Sequence, residues 1–112
     1  MIHIALHFLI PLAVAGLCFR TLFWRAYLLM LGGMVIDLDH LLADPIYDPL
    51  RCSIGFHPLH SSFAIAAYVI LLLASLPHSF AEKCFGKYRL SVNLLSLGLL
   101  IHIVLDASDC VF

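Results

Sequence analysis

The chain has 112 residues, the size of a single domain (1–112). Hydrophobic residues make up 63% and charged residues only 12%, with mean hydropathy +1.07, whereas soluble domains are about 25% charged; too few polar positions remain to coat a soluble bundle. The formal charge of −1 lacks the basic surface of a nucleic-acid binder, so the expected partner is the lipid bilayer and no nucleic acid.

Taken in order, four apolar segments predict an all-α, four-helix transmembrane bundle. The first runs from about Ile4 to Phe19 and is apolar except for His7. No Lys or Arg precedes Arg20, so it lacks the positive start of a signal peptide and reads as a retained helix. Pro11 lies inside it and would kink the helix or mark a first turn. The short connection Arg20-Thr21 makes segments one and two antiparallel neighbours. Segment two, about Leu22 to Leu42, opens with the interfacial residues Trp24, Arg25 and Tyr27. Gly32-Gly33 in its middle permits close helix contact, and its last turns carry Asp37, Asp39 and His40.

The Asp44-Pro45-Ile46-Tyr47-Asp48-Pro49 stretch then breaks the helix. The loop continues to His57, and Pro58 suits the first turn of the next helix. Segment three runs from about Pro58, through His60, to Leu76. Ala81 to Arg89 reads as a polar, basic connection. Segment four covers about Leu90 to Leu105, with Asp106, Asp109 and Cys110 following. These spans are short against the roughly 20 residues a bilayer asks of a helix, and local thinning would cover the mismatch.

Antiparallel spans put both termini and the second loop on one face. Arg20, Arg25, Lys83, Lys87 and Arg89 fall on the opposite face, which the positive-inside rule makes cytoplasmic. The first face gathers His3, His7, Asp37, Asp39, His40, His57, His60, His102 and Asp106. Ionisable groups at membrane depth are costly and mark function. His102 and Asp106 are one helical turn apart, as are Asp37 and His40. Imidazole with carboxylate suits zinc above all, with manganese or iron(II) as alternatives. The expected ligands are His7, Asp39, His40, His57, His60, His102 and Asp106. Asp37 is either a further ligand or the base that orients water. His3 reads as an interfacial residue, and Asp44, Asp48 and Asp109 as solvated loop positions. Cys52 and Cys110 fall on the non-cytoplasmic face, where an oxidising compartment permits a disulfide.

The Asp37-Leu-Asp39-His40 motif, the His57/His60 pair and Gly98-Leu-Leu-Ile-His102-Ile-Val-Leu-Asp106 resemble the motifs of small bacterial inner-membrane metal-dependent hydrolases, the YdjM-like, LexA-binding inner membrane-associated family. The resemblance extends from His7 to Asp106. More remotely the pattern is similar to the all-helical zinc-dependent phospholipase C and P1 nuclease group. It implies metal-dependent hydrolysis of a phosphoester or lipid-linked substrate at the non-cytoplasmic face. The chain departs from the pattern at Ile36, where relatives carry proline, and in His57-Pro58-Leu59-His60-Ser61, which is tighter and lacks the relatives' arginine. A non-catalytic metal-binding or structural membrane protein is the competing class.

Overall fold

The structure, a computed structural model, describes residues 2–42, 54 and 58–111; for residues 2, 3, 38–42, 109 and 111 it describes the backbone alone. Every element among the described residues is helical. Helix α1 spans Ile2–Cys18. Pro11 sits inside it without ending it; a proline there cannot donate to the carbonyl of residue 7, which weakens the turn bearing His7. A 3-10 turn, Arg20–Leu22, reverses the chain. Helix α2 follows at Phe23–Leu31, and the α1 and α2 arms meet at a 120° bend.

Segment two is not one α-helix. At Gly32 the α2 helix passes into a 3-10 helix, Gly32–Leu42. Two adjacent glycines weaken the α conformation at this point. The tighter helix rises about 2.0 Å per residue, against 1.5 Å for an α-helix, so Asp37 is carried farther along the bundle. A 3-10 turn, Pro58–His60, leads into α3, Ser62–Ser75. Ser61 caps α3 by accepting a hydrogen bond from the Ala64 backbone N–H at 3.3 Å.

The stretch expected to be a connection contains a helix, α4, at His78–Phe85. Ala81, Glu82 and Lys83 are good helix formers, and Ala81 is fully buried. Gly86, at φ +58°, ends the helix in a conformation that favours glycine. A short 3-10 turn, Gly86–Tyr88, leads into α5, Arg89–Val111. Helix α5 runs past the expected end at Leu105, so Asp106 is a helical residue one turn beyond His102.

Helix α5 is the hub and packs against α1, α2, the 3-10 segment, α3 and α4. One apolar cluster, Ala15, Ala26, Met30 and Leu94, joins α1, α2 and α5. A second, Ile36, Tyr68, Leu99 and Ile103, joins the 3-10 segment, α3 and α5. Between them two backbones touch. A Cβ on Gly98 would lie 2.3 Å from the Met30 carbonyl oxygen, and one on Gly33 would lie 2.8 Å from the Gly98 carbonyl carbon. Nothing larger than glycine fits this crossing. Gly33 precedes Asp37 by four positions and Gly98 precedes His102 by four, so the crossing sets the distance between those two side chains.

Away from that region, polar ties join α5 to its neighbours. Asn93 donates to the Ser75 hydroxyl at 3.0 Å, and Arg25 donates to the Ser91 hydroxyl at 3.1 Å. The continuous stretch His78–Ser108 is long and apolar enough to cross a membrane, and the bent pair Ile4–Cys18 with Arg20–Asp37 passes the same test together. Helix α3 is apolar but shorter.

Candidate metal centre

Five side chains from four elements meet at one end of α5. His102 and Asp106 come from α5 itself, Asp37 from the 3-10 segment, His60 from the turn before α3, and His7 from α1. Each imidazole turns its Nε2 inward. His60 Nε2 lies 2.8 Å from Asp106 Oδ2, and His102 Nε2 lies 3.2 Å from the same oxygen. His102 Nε2 is also 3.0 Å from Asp37 Oδ1, and His60 Nε2 is 3.7 Å from it. His7 Nε2 lies 3.1 Å from the other Asp106 oxygen, Oδ1.

The sequence accounts for this placement element by element. His60 sits between Pro58, which opens a 3-10 turn, and Ser61, which caps the following helix. The Tyr68 hydroxyl donates to the Leu59 carbonyl at 2.9 Å and ties that turn to α3. His60 is thereby held with no exposed surface. No sequence motif marks Tyr68; its signal is a hydroxyl within an otherwise apolar run, two turns beyond His60. His7 and His102 pack edge to face, with ring centroids 4.4 Å apart.

Burial is uneven. His7, His60, His102 and Asp106 are buried, whereas the Asp37 side chain is 41% exposed. The centre therefore has a closed floor and a mouth at Asp37. One potential ligand atom from each of Asp37, His60, His102 and Asp106 lies within 4.8 Å of the others, a spacing able to hold a metal ion. His7 stands beside this group and engages the Asp106 oxygen that faces away from His60 and His102.

The donor set fits a cation. Two carboxylates at this spacing repel by about 3–4 kcal/mol at an effective dielectric constant of 20. His102 Nε2 faces both carboxylates but carries at most one proton. The buried His102 Nδ1 has no hydrogen-bond partner among the described residues. A divalent ion among these atoms would neutralise both carboxylates and accept the inward-facing imidazole nitrogens as ligands.

Of the residues expected from the sequence, the structure brings together Asp37, His60, His102 and Asp106, with His7 alongside. Asp39 and His40 lie on the 3-10 helix, but their side chains, like that of His3, fall outside the described residues, as does the whole of His57. His78 is remote and pairs with Glu82 at 3.7 Å in solvent. Cys110 is disulfide-bonded, and Cys18 and Cys84 are free. The Cys52 part of the disulfide expectation lies outside the described residues.

No curated protein and no solved structure matches the chain significantly. A family model does match, over residues 1–112, and the chain belongs to that family: DUF6122, a family of unknown function.

Proposed function

We propose that the protein is a membrane-embedded metal-dependent hydrolase acting on a phosphoester or lipid-linked substrate. The observation that carries this reading is the convergence of three imidazole Nε2 atoms and two carboxylates at a partly open centre. His60, His102 and Asp106 would hold a divalent ion beside Asp37, with zinc the best match to imidazole and carboxylate ligands. Asp39, His40 and His57 are further candidate ligands from the motif pattern. Such an ion supplies Lewis-acid polarisation of a phosphoryl oxygen and makes water acidic enough to attack it near neutral pH. His7 fixes Asp106 through Oδ1 and leaves Oδ2 to the centre. Asp37, at the mouth, accepts the proton from the attacking water. The similarity of the Asp37–His40 and His102–Asp106 motifs to bacterial inner-membrane hydrolases supports the same chemistry.

A transmembrane four-helix bundle accounts for the surface. Trp24, Leu28, Phe63, Ile70 and Val104 are each more than 60% exposed, which suits hydrocarbon better than water. The longest dimension, 44 Å, matches a bilayer of about 40–45 Å including head groups. The basic residues away from the centre put that end in the cytoplasm by the positive-inside rule. The Cys110 disulfide agrees with an oxidising compartment on the metal side.

A purely structural metal would favour a closed shell, and the 41% exposure of Asp37 favours access instead. The decisive experiment measures metal content by elemental analysis and hydrolysis of a chromogenic phosphodiester by the purified protein. Parent protein should hold metal and turn over. Asp37→Asn should keep most of the metal and lose turnover. Metal-free parent protein would defeat the metal reading; metal without turnover on any phosphoester would leave only the structural role.

A further inference from the structure

Charge is divided unevenly between the two ends of α5, which lie about 26 Å apart from Arg89 to Asp106 at 1.5 Å per residue. The Arg89 end holds Arg20, Arg25, Lys83, Lys87 and Arg89, five of the chain's six Lys and Arg, but only Glu82 of its seven acidic residues. Packing gathers the elements that carry them. Phe19 and Phe23, on either side of the first turn, share an apolar cluster with Leu90, and Arg25 reaches the Ser91 hydroxyl at 3.1 Å. Among the described residues none of these five cations pairs with a carboxylate. Glu82 faces His78 instead. The partners of Arg25 and Lys87 are a hydroxyl and, at 5.2 Å, the Tyr88 ring, both neutral. The apolar neighbours of the cations are exposed: Trp24 and Leu28 beside Arg25 on α2, Phe80 one turn before Lys83, and Tyr88 next to Lys87.

We infer that this end binds anionic phospholipid, with a phosphate on Arg25 and the acyl chains along Trp24 and Leu28. The inference rests on the bilayer part of the reading above and is independent of the hydrolase part. A guanidinium has five N–H donors, of which Ser91 takes one, and the rest can grip phosphate oxygens in pairs. Trp24 and Leu28 are one helical turn apart; an indole belongs at head-group level, which puts Leu28 against hydrocarbon. A zwitterionic lipid brings its own cation beside the phosphate and leaves the charge of the patch uncompensated. An anionic lipid compensates it, and each cation near an anionic surface strengthens attachment roughly fivefold. A nucleic acid or an acidic peptide would match the charge but leave the exposed apolar neighbours against water.

Trp24 is the chain's one tryptophan, so its emission reports on this patch alone. Full-length protein is reconstituted in phosphatidylcholine vesicles that carry the same small fraction of brominated phosphatidylglycerol or of brominated phosphatidylcholine, whose bromines quench an adjacent indole. The anionic lipid should quench Trp24 several-fold more efficiently. The preference should shrink at about 1 M salt, where the Debye length is about 3 Å. Arg25→Gln should remove most of it. Arg20→Gln combined with Lys87→Gln, both at exposed positions, should lower it as well and serves if Arg25→Gln fails to fold. Equal quenching by the two lipids, or a preference that these variants leave intact, would overturn the inference and leave the bilayer reading standing. No quenching by either lipid would put Trp24 outside the bilayer and sink both. Polyglutamate or RNA that shifts Trp24 emission in vesicles of phosphatidylcholine alone would give the patch to a macromolecule and overturn the inference too.

Discussion

His78 and Glu82 on α4 share a sequence relationship with His102 and Asp106 on α5: an imidazole four positions before a carboxylate, on one helix face. Their surroundings differ in every respect. The first pair is 70% and 60% exposed and 3.7 Å apart, with solvent around it. The second is 2% and 7% exposed and 3.2 Å apart, and is met by His7, His60 and Asp37 from three other elements. Spacing makes a pair; the packing of other elements around the pair makes a centre. A solvated pair of this kind contributes about 0–1 kcal/mol. The buried one commits the chain to a cost that only a proton or a metal ion can offset.

The comparison is broken most severely at Asp106, the carboxylate reached by all three imidazoles. Asp106→Asn should lower metal affinity more than about 100-fold, beyond the 10–100-fold typical of residues that only orient ligands. Titration with a competing chelator measures it, and unchanged affinity would remove Asp106 from the ligand set. Next comes the crossing that brings Asp37 to His102. Gly98→Ala puts a Cβ 2.3 Å from a carbonyl oxygen and should cost about 3 kcal/mol, the upper range of overpacking, seen as lowered resistance to denaturant together with lost metal. Stability within error of the parent would mean that the two backbones do not touch as described.

His7→Gln should sharpen the contrast. If His7 holds Asp106 from outside the four-residue group, metal affinity should fall by about 10–100-fold and a metal-loaded state should survive at high metal concentration. Loss as severe as in Asp106→Asn would make His7 a ligand. The smallest effect belongs to the other pair. His78→Ala should change neither metal content nor stability by more than about 0.5 kcal/mol, measured in the same chelator and denaturant titrations.

Hydrophobic runs and their breaks made the bundle legible, because an apolar helix announces itself by length and by the Pro and Gly that end it. The conversion of segment two to a 3-10 helix after Gly32 was not legible, since two glycines permit several backbones and packing chooses among them. Helix α4 was hidden by charge: Glu82 and Lys83 resemble loop residues unless Ala81 is known to be buried. At the centre, residue types and topology pointed to His60, His102, Asp106 and Asp37, because an ionisable group among apolar neighbours has few other reasons to be there. The sequence also suggested close contact at Gly32-Gly33, but the partner, Gly98, is fixed by the register of α5. Tyr68 acts through the carbonyl of Leu59, and no side-chain motif encodes a bond to a backbone atom.

The reliance of the centre on α5 has a consequence for how the protein is made. His7 and Asp106 are 99 positions apart, Asp37 and His102 are 65 apart, and His60 and Asp106 are 46 apart. Every one of these contacts waits for α5, which is synthesised after the other five elements that pack on it. A nascent chain lacking α5 is without His102 and Asp106, the two side chains that join His7, His60 and Asp37 at the centre. An ion held at this centre would therefore be captured only after α5 has docked, and its occupancy would report completed assembly.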